Sequence, residues 1–374
     1  MSPEGTEESG RKRDLDGLRG VAVLMIIFLH YVCRSGFFGN VGPPRIAQLM
    51  EASWAGVDIF FVLSGFLIGG IIIDNRDAEN FFAAFYRRRA LRILPLAFLT
   101  IAFSYLILPL ANPSVVVGAH VPPYAYLLFI NNFWTALGHP GYIPLGPMWS
   151  LAIEEQFYLM APTFLRSIGP RTRNVTLMTV IVISPLLRAS HTGLSGWELT
   201  PFRLDGFACG ILVAGLLRDA RYREVVIRNR GVIGALAVGL VSVDLLFASS
   251  PHYSLVLRVA FGISLNSLAA AGVILSLQIS PGSWIANILS RQWLVACGKY
   301  SYFLYLMHVP ILLYTMGAYV GGSFVPYVAI ALGITFACAW ASWRFLESRL
   351  IHLGKRYLYS ARSIGAATSP YQTT

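Results

Sequence analysis

The chain alternates between long apolar runs and short stretches rich in Arg, Pro and Gly. A helix that crosses a bilayer needs about 20 mostly apolar residues. Ten runs approach that length: 15–33, 53–73, 93–111, 147–165, 175–189, 203–217, 231–248, 255–278, 300–319 and 324–344. The fifth and sixth are short and need their flanks to complete a crossing. Segment 124–138, YAYLLFINNFWTALG, is apolar but broken by Asn131 and Asn132. It reads as an outer-surface or re-entrant piece, with an eleventh span as the alternative. No internal repeat stands out. The pattern predicts an all-α integral membrane protein of about ten transmembrane helices. Segment 1–14 precedes its transmembrane domain of 15–350, and a tail, 351–374, follows. The end of that tail, SARSIGAATSPYQTT, lacks apolar periodicity and is expected to be disordered.

Composition sharpens this. Only 13% of residues are charged and 56% are hydrophobic, against about 25% charged in soluble domains. The mean hydropathy of +0.61 fits lipid as solvent. A net charge of +11 would raise nucleic-acid binding in a soluble protein. Here the distribution of charge excludes that partner. With the N-terminus inside and the runs alternating, five of the 29 Lys and Arg fall outside: Arg34, Arg45, Arg188, Arg203 and Arg258. The remainder fall inside, as cytoplasmic loops require. Both ends are therefore expected in the cytoplasm, with the protein in the inner (plasma) membrane. RKRD at 11–14 precedes an apolar stretch that no small-residue cleavage site follows, so an attached first helix is expected rather than a signal peptide. Cys33, Cys209, Cys297 and Cys338 are far apart and lack metal or redox spacing. No disulfide and no metal are expected.

Ionisable residues inside spans are costly and mark candidate sites. Arg19 and His30 are eleven residues apart in LDGLRGVAVLMIIFLHYVC. That is about 20° past three helical turns and about 16 Å of rise, so the two share one face. Asp58, in GVDIFFVLSGFLIGG, falls at about the depth of His30 and suits a carboxylate that orients an imidazole. Ser64 and Gly65 are mid-span, where small residues admit a neighbouring helix or a thin ligand. Arg87, Arg88, Arg89 and Arg92 stand at the inner mouth of the third run. They serve either as a positive-inside anchor or as forks for phosphate oxygens. Glu154, Glu155 and Gln156 are consecutive inside the fourth run, and Glu154 shares a face with Tyr158. Arg203 and Asp205 are read as a pair. His308, near Pro310, is read as a kink or pocket wall, and Glu347 as a partner of Arg344 or Arg349. Walker loops, GxSxG elbows and HExxH are absent.

Seven blocks in order carry a resemblance: LDGLRGVAVLMIIFLH, GVDIFFVLSGFL, FYRRRALRILP, WSLAIEEQFYLMAP, RLDGFACG, YSYFLYLMH and RFLES. Together, over about 15–350, the chain resembles the acyltransferase-3 family of membrane O-acyltransferases. Ser348 follows Glu347 where the family's closing block usually has Pro, and the hydrolase-like domain fused to some members has no expected counterpart. The resemblance implies transfer of an acyl group, often acetyl, from cytoplasmic acyl-CoA to a hydroxyl of a glycan, lipid-linked sugar or glycosylated metabolite. It matches Arg19, His30, the arginine cluster and the Ser64–Leu67 run to the family's functional motifs. The expected chemistry has acyl-CoA phosphates on Arg88, Arg89, Arg92 and Arg19, with the acyl arm passing Ser64 and Gly65. His30 is the expected base, oriented by Asp58 or Glu154. A transporter or exporter is the alternative, and a structural subunit of a glycan-assembly complex a third. Homo-oligomerisation is left open.

Overall fold

The computed structural model describes residues 13–33, 52–113, 121–190, 196–249, 257–317 and 324–360. The start of the chain through residue 12, Arg34, Arg45 and the tail beyond 360 lie outside the described residues. Among the described residues the chain is helical and contains no strand. Lipid explains why: only structures that satisfy backbone polar groups internally survive in hydrocarbon.

A helical segment occupies each of the ten predicted runs. They are α1 (Arg13–Phe28), α2 (Ala55–Asp74), α3 (Phe81–Ala102), then, after the short α4 (Pro123–Leu127) and α5 (Asn131–Ala136), α6 (Met148–Ser167) and α7 (Pro170–Ser190). Next come α8 (Leu204–Arg218), α9 (Ala220–Arg228), α10 (Arg230–Ser249) and α11 (Ile263–Ile279). Two short helices, α12 (Trp284–Leu289) and α13 (Gln292–Lys299), lead to α14 (Ser301–Gly317), α15 (Phe324–Ser342) and α16 (Ser348–Lys355). Segment 124–138 folds as α4 and α5, each too short to cross a bilayer.

Six helical stretches among the described residues are long and apolar enough to cross a membrane: Arg13–Cys33, Ala52–Asp74, Phe81–Ala111, Arg230–Phe247, Val259–Ile279 and Pro326–Lys355. The other four predicted runs fall short for identifiable reasons. Helix α6 carries Glu154, Glu155 and Arg166, and α7 carries Arg171, Arg173 and Arg188. Helix α8 has 15 residues, and the apolar part of α14 is Ser301–Met316.

Helix α2 sits at the centre and α10 at the lipid-facing rim: 72% of the most apolar window of α2 is buried, against 6% for α10. The close packing of α2 on α8 follows from glycine. A Cβ on Gly65 would lie 2.2 Å from the Phe207 carbonyl oxygen, and one on Gly210 would lie 2.1 Å from that of Val62. Helix α1 seats against α12 and α13 the same way. A Cβ on Gly17 would meet the Leu289 carbonyl oxygen at 1.7 Å, and one on Gly298 that of Asp16 at 1.8 Å. In lipid, helices associate through such backbone approach rather than through hydrophobic burial. Of the two roles open to Gly65, a neighbouring helix or a thin ligand, the structure fills the first: α8 packs against it.

Helices α1, α3, α11 and α15 each join a wider turn: Leu29–Cys33, Phe103–Ile107, Arg258–Gly262 and Trp343–Glu347. Such single wide turns recur at functional positions. The one on α1 holds His30.

Candidate active site

Helices α1, α2, α3, α6 and α14 converge on an open pocket. Arg19, Arg89 and Arg92 line it together with Ser64, Glu154, Tyr158, Ser301, Tyr302 and Tyr305. Three arginines thus come from two helices to one cavity. Arg19 also pairs with Asp16 at 3.8 Å, and Arg89 lies over the Tyr158 ring at 5.6 Å.

The arginine cluster divides. Arg88 does not line the pocket: its guanidinium lies 5.2 Å above the ring of Tyr359, and that of Arg87 lies 5.2 Å above Tyr357. Both tyrosines belong to the segment after α16, which Asn80 holds by donating to the Leu358 carbonyl and accepting from the Ser360 amide. This corrects the expectation of Arg88 among the phosphate ligands. Consecutive helical residues turn through about 100°, so a run of arginines cannot face one cavity.

Inside the pocket, Glu154 Oε1 accepts from both the Ser64 hydroxyl and the Tyr158 hydroxyl. On α14 the stripe Ser301, Tyr305, His308 begins with two residues of the pocket lining. Tyr305 exchanges a 2.5 Å hydrogen bond with Ser150 and packs on Phe60 with ring centroids 5.9 Å apart. One turn further along α14, beyond the pocket lining, His308 is fully buried and its Nε2 lies 3.3 Å from Nδ1 of half-buried His30. The rings meet edge to face at 4.8 Å. His308 is also anchored by its backbone, whose carbonyl accepts from Tyr31 at 2.9 Å; Tyr31 bonds Thr335 of α15 as well.

Asp58 lies elsewhere than expected. Its two oxygens accept from Arg203 at 2.6 Å and Asn266 at 2.8 Å. Arg203 is stacked against Phe61, Trp149 and Trp197. Beside it Asp205 pairs with Arg188 at 2.7 Å and accepts from Ser264 at 2.5 Å. Arg203 and Asp205 are therefore not partners of each other but halves of two buried ion pairs. Arg188 and Arg203, tallied from the sequence as outer-loop charges, are 2% and 3% exposed. Just outside these helices Glu198 accepts from the Thr135 hydroxyl, and burial pushes its carboxyl up from the usual range. Glu347 takes its hydrogen bond from Ser342 at 2.8 Å, in place of the expected arginine partner.

Of the residues singled out in the sequence, the structure brings Arg19, Arg89, Arg92, Ser64 and Glu154 to one cavity. It sets His30 above them against His308 and sends Asp58, Gly65 and Arg88 to other tasks. Tyr302 and Tyr305 escaped notice, although Ser301, Tyr305 and His308 carry a signal: spacing of four and three residues puts them on one helical face.

Comparison with known proteins bears on the family of the chain. A family model described as an acyltransferase domain matches residues 12–344. The O-acetyltransferase OatA of Staphylococcus aureus, strains NCTC 8325 / PS 47 and COL, is 30% identical over 358 residues, covering 89% of this chain and 56% of its own. A second S. aureus protein, SACOL0978 of strain COL, carries a provisional O-acetyltransferase name and is 29% identical over 357 residues, with the same coverage. The chain thus spans about half the length of these curated relatives. No solved structure matches it. With the family model covering nearly all of a multi-helical membrane chain, the protein belongs to the acyltransferase-3 family.

Proposed function

We propose that the chain transfers an acyl group, acetyl by analogy with the names of its relatives, from a coenzyme A thioester to a hydroxyl of a carbohydrate-containing acceptor. It would do so from the inner membrane through ten crossings, with both termini cytoplasmic. The observation that carries the proposal is the pocket itself: three arginines and several polar groups line it, and an imidazole pair lies one helical turn beyond Tyr305. Arg19, Arg89 and Arg92 would hold the donor's phosphates, since guanidinium forks match phosphate oxygens. The thin arm of the donor would run past Ser64, Glu154 and Tyr305.

The reaction follows from the groups present. Neutral His30 accepts the proton of the acceptor hydroxyl as its oxygen bonds to the thioester carbonyl carbon. The tetrahedral adduct collapses, the carbon–sulfur bond breaks, and the departing thiolate takes up the proton. The products are an ester and free coenzyme A. A positioned base of this kind contributes roughly 10²–10⁴ in rate.

Thiol release from acetyl-CoA by the purified protein and by His30→Ala, with and without candidate glycans, tests the reading. Wild-type release with a loss of about 100-fold or more in His30→Ala is the expected outcome. No release by the wild type, together with no binding of coenzyme A, would sink the enzyme reading in favour of transport.

A further inference from the structure

Two ring-to-backbone contacts decide how the histidine pair is protonated. Nδ1 of His308 lies 3.0 Å from the Leu304 carbonyl oxygen and 2.7 Å from that of Tyr305. A carbonyl only accepts, so Nδ1 of His308 carries the proton and Nε2 carries the lone pair. Nδ1 of His30 lies 3.0 Å from the Ile26 carbonyl oxygen, so it too carries its proton. The remaining contact then pairs a donor with an acceptor: His30 Nδ1–H to His308 Nε2, at 3.3 Å. The opposite tautomer of His30 would set a lone pair against both the carbonyl oxygen and the His308 nitrogen.

The two rings are not equivalent. His308 is fully buried on α14, and its helix is held to α1 and α15 by the Tyr31 hydroxyl. His30 is half-buried, in the wide turn of α1. One ring is fixed and the other is reachable. We propose that His308 is a positioning residue that, as the second acceptor beside the Ile26 carbonyl, holds His30 in its Nδ1–H tautomer, so that the His30 lone pair sits on Nε2, on the side of the ring away from His308. The proposal rests on the reading of His30 as the base that receives the acceptor's proton. His308 acts through His30: with the Ile26 carbonyl it favours the tautomer whose Nε2 is able to accept a proton.

The test uses the full chain in detergent, labelled with ¹⁵N-histidine, with the His30 signals assigned by their loss in His30→Ala. Ring nitrogen shifts distinguish an N–H from a lone-pair nitrogen. In the wild type His30 is expected to carry its proton on Nδ1. In His308→Leu and His308→Met, two shapes without an acceptor, that preference is expected to weaken to what the Ile26 carbonyl alone maintains. In His308→Gln, whose amide oxygen accepts, it is expected to be retained. Thiol-release kinetics on the same proteins should show kcat down at least thirtyfold in the acceptor-less variants, KM for acetyl-CoA within threefold of wild type, and at least tenfold recovery of kcat in His308→Gln. A wild-type His30 protonated on Nε2, a tautomer unchanged by His308→Leu or His308→Met, or kcat within threefold of wild type in those variants would overturn the proposal. The spectra are read without turnover. A wild type that releases no thiol yet shows the His308-dependent tautomer therefore refutes the base reading while supporting the positional one.

Discussion

Arg87, Arg88 and Arg89 are neighbours in the chain and strangers in space. Arg89 joins Arg92 and Arg19 at the pocket, while Arg87 and Arg88 lie on tyrosines of the C-terminal segment. Charge-assisted hydrogen bonds are worth roughly 1.5–3 kcal/mol, and a tenfold change in affinity is about 1.4 kcal/mol. Replacement of Arg89 or Arg92 by Ala is therefore expected to raise KM for acyl-CoA about tenfold or more. Arg88→Ala should change it less than threefold, because its guanidinium faces Tyr359. Steady-state kinetics on the three variants checks the division, and equal effects would refute it. The Asp58–Arg203 pair makes a different prediction. Removing one member of a buried pair strands the other charge, at a cost of about 3–5 kcal/mol. Arg203→Ala is expected to lower the melting temperature in detergent sharply, and Asp58→Asn on top of it to restore part of the loss. If the double variant melts no higher than the single, the stranded charge is not the cause. Sequence proximity misled here: Arg203 and Asp205 are two apart, a spacing at which helical side chains do not face each other. Their true partners, Asp58 and Arg188, lie far off in sequence, where no periodicity reports them.

At the scale of elements, apolar runs were enough to locate the helices because a lipid-facing helix must be apolar along its whole length. They were a poorer guide to α6, α7 and α8, which carry Glu154, Arg188 and Asp205 bonded to residues of other helices. Glycine decides how closely these helices approach. Gly65→Leu or Gly210→Leu would force apart α2 and α8, whose backbones touch through those positions. Both are expected to yield aggregated or unfolded protein by size-exclusion chromatography. Gly169→Ala, with nothing within 4 Å of an added Cβ, is expected to elute and melt as wild type. A monodisperse Gly65→Leu would show that the approach of the two helices is dispensable. The pocket-facing stripe of α14 was legible as a periodicity. Its meeting with His30 was not, since the two histidines are 278 residues apart in the chain.

For the whole molecule, the asymmetry of Lys and Arg predicts the side on which each end lies. Reporter fusions to the N-terminus and to the end of α16 are both expected to report a cytoplasmic location, and an N-terminal reporter on the outside would invert the direction in which donor and acceptor reach the pocket. The pocket joins residues from α1, α2, α3, α6 and α14, which are scattered along most of the chain, so the composition could announce a membrane protein while the site waited on the fold. Arg19 and His30 are the exception, since one helix bears both. That shared helix makes α1 a calliper. On the proposed reading, the span between a phosphate held at Arg19 and a carbonyl presented to His30 is set by eleven residues of one helical segment, about 16 Å, the last of them in the wide turn that closes it. Donors would then be sorted by reach before acyl chemistry enters. A thioester built on a short thiol without the nucleotide would lose its anchor and be turned over poorly even when saturating. A single residue inserted between Arg19 and His30 would swing the imidazole through about 100° and leave the calliper closed on nothing.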